Sequence, residues 1–141
     1  MRRVVTAIAA LEFMAFFASA PTPVVRASDA PADRVVVMYF HRTQRCPTCL
    51  KMGSYSEEAV KTGFAQEIKE GKVEFHFIDF QDKKNEALTK GYQVGGPTLI
   101  VARVVENKIA DRKNLKDMWT KVRDKTAFVE YVQSNVKDYL K

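Results

Sequence analysis

Cysteine is scarce. Only Cys46 and Cys49 occur among 141 residues, where a small secreted scaffold held by disulfides would carry several pairs. The chain is apolar enough to fold without such staples, which leaves the pair free for chemistry. A membrane-spanning helix needs about 20 apolar residues; the N-terminal run Val4 to Ala18 is shorter and is interrupted by Glu12. A stripe of basic residues interleaved with aromatics is also missing, so the net charge of +6 does not point to nucleic acid. Lysines instead alternate with acids, as in Glu57-Glu58 before Lys61 or Lys116-Asp117, the pattern of a solvated face. There is no internal repeat and no low-complexity tract. No acid lies between Asp33 and the cysteines.

What is present begins with an export-like start. Arg2 and Arg3 precede the apolar run, the order of a secretory signal. Ala18-Ser19-Ala20 fits a small-residue cleavage site but is followed by Pro21, so Val25-Arg26-Ala27 before Ser28 is the better candidate. Residues 1–27 are therefore expected to be a signal peptide, or an N-terminal anchor if retained. The product would be periplasmic or secreted, or membrane-anchored facing the periplasm. A membrane partner follows only if that segment stays. Removing it takes away three arginines and one glutamate, leaving 114 residues with a net charge of +4. That length makes one domain. Residues 28–33 read as a flexible leader and 34–141 as the folded domain.

Arg34 to His41 is a β-forming run without clean alternation, which predicts a central strand covered on both faces. Thr43 and Gln44 belong to the loop that delivers Cys46. Helical composition follows from Cys49 through Val60, weakened at Gly53, broken near Gly63, and resumed from Phe64 to Lys69 before a cap at Gly71. Val73 to Phe80 is a second strand. Asp82 caps a short helix, Lys83 to Lys90, ended by Gly91. Strand, helix, strand is the parallel βαβ signal. Pro97 cannot donate to a ladder and so belongs at the mouth of the strand it opens. A turn at Glu106-Asn107-Lys108 leads to a fourth strand around Ile109 to Arg112. Asn114 is expected to cap a helix from Leu115 to about Arg123, and Asp124 or Thr126 the last one, with Phe128, Val132 and Val136 inside. Met38, Met52 and Trp119 read as core.

Cys-Pro-Thr-Cys sits where the first strand hands over to a helix. One helical turn brings such side chains to about 5–6 Å, and a disulfide needs about 3.5–4.5 Å between Cβ atoms, so a small tightening closes it. Pro47 suits a first helical turn. Cys46 then lies at the helix N-terminus, whose partial positive charge favours a thiolate. His41, Arg42 and Arg45 add cationic character to the approach, predicting an acidified Cys46 and a pair more oxidising than about −270 mV. His41 is either a proton shuttle or an exposed end to its strand. His76 reads as structural or solvent-facing.

The order strand, Cys-x-x-Cys at a helix start, βαβ, Gly-Gly-Pro-Thr, hairpin and closing helix resembles the thioredoxin fold. That resemblance implies an α/β domain with a central mixed four-stranded sheet flanked by helices and an extra C-terminal helical segment. The tail, Asn114 to Trp119 and Phe128 to Val132, together with Tyr39-Phe40-His41 and Tyr55 to Val60, is similar to an exported bacterial branch labelled nitrophenyl-compound nitroreductase subunit. By the resemblance Cys46 is the attacking thiol and Cys49 the resolving thiol. Pro97 is a cis-proline facing the Cys46–Cys49 disulfide and, with Gly96, shapes the substrate groove. Thioredoxin itself has tryptophan before the first cysteine and Gly-Pro between the pair; this chain has Arg45 and Pro47-Thr48.

The implied activity is thiol–disulfide exchange with protein thiols and an unnamed redox partner protein. It needs no dissociable cofactor, because the electrons sit on sulfur. Two other classes stay open. One is an interaction subunit, redox-linked or passive, docking through Trp119 and the tail helices. The other is soft-metal binding by the cysteines, with His41 and His76 completing a nominal set.

Overall fold

The computed structural model describes residues 31–141. The expected signal peptide or anchor, 1–27, and the start of the leader lie outside the described residues. Among those described, no helix is long and apolar enough to cross a membrane.

The first strand, β1 (Arg34–His41), is buried along almost its whole length. Burial on both faces is what its unbroken apolar run demands. It pairs in parallel with β2 (Val73–Asp79) and antiparallel with β3 (Thr98–Val105), and β3 pairs antiparallel with β4 (Lys108–Asn114), giving the order β2-β1-β3-β4. The mixed four-stranded sheet is the expected one. Helices α1 (Pro47–Gly63) and α5 (Lys125–Leu140) pack on one face, and Val35, Val37 and Tyr39 point into that core with Met52, Phe128 and Val132. The alternate residues Val36, Met38 and Phe40 join Ile78, Ile100 and Ala102 on the other face, with Tyr92 and Val94 packed against them. A period of two along β1 thus feeds two cores.

The ends of the elements follow their local chemistry. Helix α2 (Ala65–Lys69) closes with Gly71 at φ 70°, the Gly71 N–H bonded to the Ile68 carbonyl and the Lys72 N–H to that of Glu67, a Schellman motif. A 3₁₀ turn (Lys83–Asn85) leads into α3 (Glu86–Gly91), and the Asp82 carboxylate accepts from Lys84 N–H. The same closure recurs after α3, with a correction. Gly91 stays helical, and Gln93 takes the left-handed position at φ 56°, fixed by bonds from Gln93 N–H to Lys90 and from Val94 N–H to Thr89. Packing of Tyr92 and Val94 onto the sheet sets where the helix stops. The β3–β4 turn has Glu106 and Asn107 both at positive φ, as a two-residue hairpin of the primed type requires. Strand β4 is exposed throughout and carries Lys108, Arg112 and Lys113, which guard a sheet edge.

Two expectations fail near the tail. The helix predicted from Leu115 to Arg123 shrinks to α4 (Met118–Lys121), because Asn114 still pairs with Ile100 and Leu115 N–H bonds to the Leu99 carbonyl. Trp119 is half-exposed rather than core, since Met118 beside it takes the buried position. Met38 and Met52 are core as expected. The last helix is capped by Asp124, whose carboxylate accepts from Ala127 N–H at 3.1 Å. Arg103 donates to the Tyr139 carbonyl at the other end, a cation on a helix C-terminus.

Gly53 marks where α1 crosses the sheet most closely. A Cβ there would lie 2.9 Å from Phe77 Cε1 and 3.0 Å from Tyr39 Cε1. Tyr39 is fully buried and cannot retreat. Gly91 has nothing within 4 Å. The two glycines therefore respond to alanine with opposite signs. Gly91→Ala stabilises by about 0.5–1 kcal/mol through helix entropy, whereas Gly53→Ala destabilises by about 1–3 kcal/mol through overpacking. Urea unfolding of the two variants beside the parent checks both signs.

Candidate functional site

The loop from Arg42 to Arg45 leaves β1 at the sheet end where the register sets His41 beside Asp79 and Phe40 opposite Thr98. Side chains from the end of β2 clamp it. The Thr43 hydroxyl donates to Asp79 Oδ2 at 2.7 Å, Gln81 N–H donates to Asp79 Oδ1 at 2.9 Å, and Thr43 N–H donates to Gln81 Oε1 at 3.1 Å. The Thr43 hydroxyl, then the Gln81 amide, hold the Asp79 carboxyl below its ordinary range.

Cys46 is the N-cap of α1, in extended backbone at φ −73° and ψ 162°, and Pro47 occupies the first turn. Its Sγ accepts from Cys49 N–H at 3.3 Å and lies 2.8 Å from Cys49 Sγ. A sulfur here does what a serine or aspartate oxygen does at other helix starts. Cys46 is exposed and Cys49 buried. The Cys46 thiol is pushed down, first by the hydrogen bond from the Cys49 thiol and next by the Cys49 amide. Burial pushes the Cys49 thiol up, and the bond to Cys46 adds to it. Beneath them the Tyr39 hydroxyl donates to the Cys49 carbonyl at 2.9 Å, and burial raises its phenol well above the usual value.

The remaining sequence candidates sit as follows. Arg45 lays its guanidinium 5.3 Å from the centre of the Phe77 ring. His41 is buried rather than an exposed strand end, its Nδ1 2.8 Å from the Arg42 carbonyl and its ring packed near Tyr39 and Phe77. A concavity of about 440 Å³ opens beside Cys46, lined by Arg42, Gln44, Arg45, Cys46 and Gln81. Gly96 and Pro97 do not line it, although the Phe40–Thr98 pairing puts them at the same end of the sheet. The expected cis bond at Pro97 is corrected: the described chain has no cis peptide. Nothing crowds Gly95 or Gly96 within 4 Å of a would-be Cβ, and the Thr98 hydroxyl bonds the Gly96 carbonyl at 2.9 Å. The ordinary trans bond, favoured by about 0.5–1 kcal/mol before proline, is therefore accommodated.

A second concavity of about 380 Å³, bordered by Arg34, Lys72, Arg103 and Lys141, lies at the opposite end of the sheet and holds neither cysteine. Among the described residues no three His, Cys, Asp or Glu side chains cluster as metal ligands. His76, the fourth member of the nominal metal set, faces Glu74 at 2.9 Å instead. Tyr39, Asp79 and Gln81 also belong to the site, and no local motif in the sequence marks them. The parallel pairing of β1 with β2 was the one signal for Asp79, since it aligns the two strand ends.

No curated protein matches the chain in sequence. A solved structure titled "Structure of a malarial protein" is similar at 21% identity, over 69% of this chain and 94% of that one, with a TM-score of 0.42. A family model described as thioredoxin matches residues 21–134. With that match spanning the strands, the Cys-x-x-Cys helix and most of the closing helix, the chain belongs to the thioredoxin family.

Proposed function

We propose that the protein is a thiol–disulfide oxidoreductase in which Cys46 attacks and Cys49 resolves. The observation that carries this reading is the split within one helical turn. Two sulfurs lie 2.8 Å apart, one exposed with its thiol pushed down, the other buried with its thiol pushed up. That is the division of labour exchange requires.

In the reductive direction the Cys46 thiolate attacks one sulfur of a substrate disulfide. A Cys46–substrate disulfide forms as the substrate S–S bond breaks, and the other substrate sulfur departs as a thiolate. Cys49 then gives up its proton and attacks Cys46 Sγ. The second substrate sulfur leaves with its electron pair, and the Cys46–Cys49 disulfide remains. Two electrons have passed to the substrate, and the reverse sequence oxidises a substrate dithiol. Gly96 and Pro97, at the same sheet end, offer backbone groups to the bound segment in this reading. Export rests on Arg2, Arg3 and the apolar run after them, and the tail's resemblance to the exported nitroreductase-subunit branch favours a partner outside the cytoplasm.

Trapping tests the assignment. Cys49→Ser accumulates mixed disulfides with cellular proteins, seen as bands lost on reduction, and Cys46→Ser does not. Absence of any trapped species with Cys49→Ser would falsify the exchange reading. Alkylation by iodoacetamide across pH tests the electrostatics. The reduced protein reacts with a midpoint below the ordinary thiol value of about 8.5. Cys49→Ala moves that midpoint upward, because the largest cause of the depression is removed. A stabilised thiolate also favours the reduced pair, so equilibration against glutathione yields a potential above the about −270 mV of thioredoxin.

A further inference from the structure

We propose that the concavity beside Cys46 selects disulfide and thiol partners whose reacting cysteine is flanked by acidic residues, as in an acidic polypeptide segment. This rests on the exchange reading above and names its substrate class.

The wall around the nucleophile has one electrostatic character. Arg42, Gln44, Arg45 and Gln81 surround Cys46, and no carboxylate joins them. The ion pairs formed among the described residues use Arg34 and several lysines and leave both Arg42 and Arg45 unmatched. Arg45 is steadied instead by the face of Phe77, which leaves the edge of its guanidinium as a donor fork suited to a carboxylate. The acid tied to this loop, Asp79, has one oxygen on the Thr43 hydroxyl and the other on Gln81 N–H. Gln81 in turn accepts from Thr43 N–H through its carbonyl oxygen, so its amide NH₂ remains as a donor. The N-terminal end of α1 adds partial positive charge at the same spot.

A substrate sulfur within reach of Cys46 therefore has its neighbours set against two guanidinium groups and an amide donor. Acidic neighbours are attracted and basic ones repelled. Charge complementarity of this kind acts mainly on encounter, raising on-rates by 10–10³-fold at low salt and fading as salt rises.

The test measures the rate at which the reduced protein attacks three peptide disulfides that differ only in flanking residues: glutamate, glutamine or lysine. At low salt the glutamate peptide reacts about tenfold faster than the lysine peptide, with glutamine between, consistent with the lower end of such steering. The ratio narrows in 1 M NaCl and falls toward one in the Arg42→Gln/Arg45→Gln double variant. Arg42→Glu, a change at an exposed position, inverts the order and keeps the test usable should the double variant fold poorly. Equal low-salt rates for the glutamate and lysine peptides would overturn the proposal. Failure of the parent protein to react with any of these disulfides would instead remove the exchange reading beneath it.

Discussion

A helix that starts in the open must satisfy its first amides, and α1 uses a sulfur to do so. Cys46 Sγ accepts from Cys49 N–H, while the Leu50 amide bonds back to the Cys46 carbonyl. Because the cap and the thiol that is pushed down are one atom, folding the helix and stabilising the thiolate become the same event. The positive end of the helix, the Cys49 amide and the Cys49 thiol all converge on that sulfur. Exposure of Cys46 then follows from its place outside the first turn, and burial of Cys49 from its place one turn further in, facing the sheet.

The sheet provides the other half of the arrangement. β1 is enclosed on both faces, so it meets solvent only at its ends, and the cysteine loop leaves from the C-terminal one. Parallel pairing brings the end of β2 to the same edge. Asp79 and Gln81 can then hold Thr43, and with it the short loop that sets where Cys46 emerges. Tyr39 ties the first turn of α1 down from below through the Cys49 carbonyl. Gly53, one turn later, lets α1 approach Tyr39 and Phe77 closely. The cysteine pair is held by contacts from β1, from the end of β2 and from its own helix.

Much of this was legible in order of residues. The apolar run at Arg34 to His41 appears as a strand with those bounds, and Cys-Pro-Thr-Cys lands at a helix start as its proline suggests. Legibility ended where long-range packing overrode local preference. Asn114 looked like a cap but stays in the β3–β4 ladder, since Leu115 reaches further into the core than a helix start there allows. Trp119 looked like core, yet a helix of a single turn has room for only one inward residue, and Met118 takes it. Gly91 looked like the left-handed stop, but the anchoring of Tyr92 and Val94 moved that stop to Gln93. The site divides in the same way. Both cysteines could be read from their spacing alone, whereas Asp79 and Gln81 are thirty or more residues away and become visible only through strand register.

In the proposed exchange, the pair also orders its own steps. Ionised Cys46 and neutral Cys49 share one hydrogen bond, which lowers the first thiol and raises the second. While Cys46 carries charge, Cys49 is held protonated first by burial, then by that bond and by repulsion from the neighbouring thiolate. Once Cys46 is consumed in a mixed disulfide its charge is gone. The bond and the repulsion then vanish, leaving burial to keep Cys49 neutral, opposed by the Cys46 backbone and by the positive charge of Arg42. In the proposed exchange Cys49 thus becomes easier to ionise only after Cys46 has reacted. No acid between Asp33 and Cys46 is present to take the Cys49 proton, but the substrate thiolate expelled in the first step is a base formed at the site. In the exchange reading, the first displacement therefore both relieves the second thiol and supplies an acceptor for its proton, so a buried Cys49 is compatible with turnover.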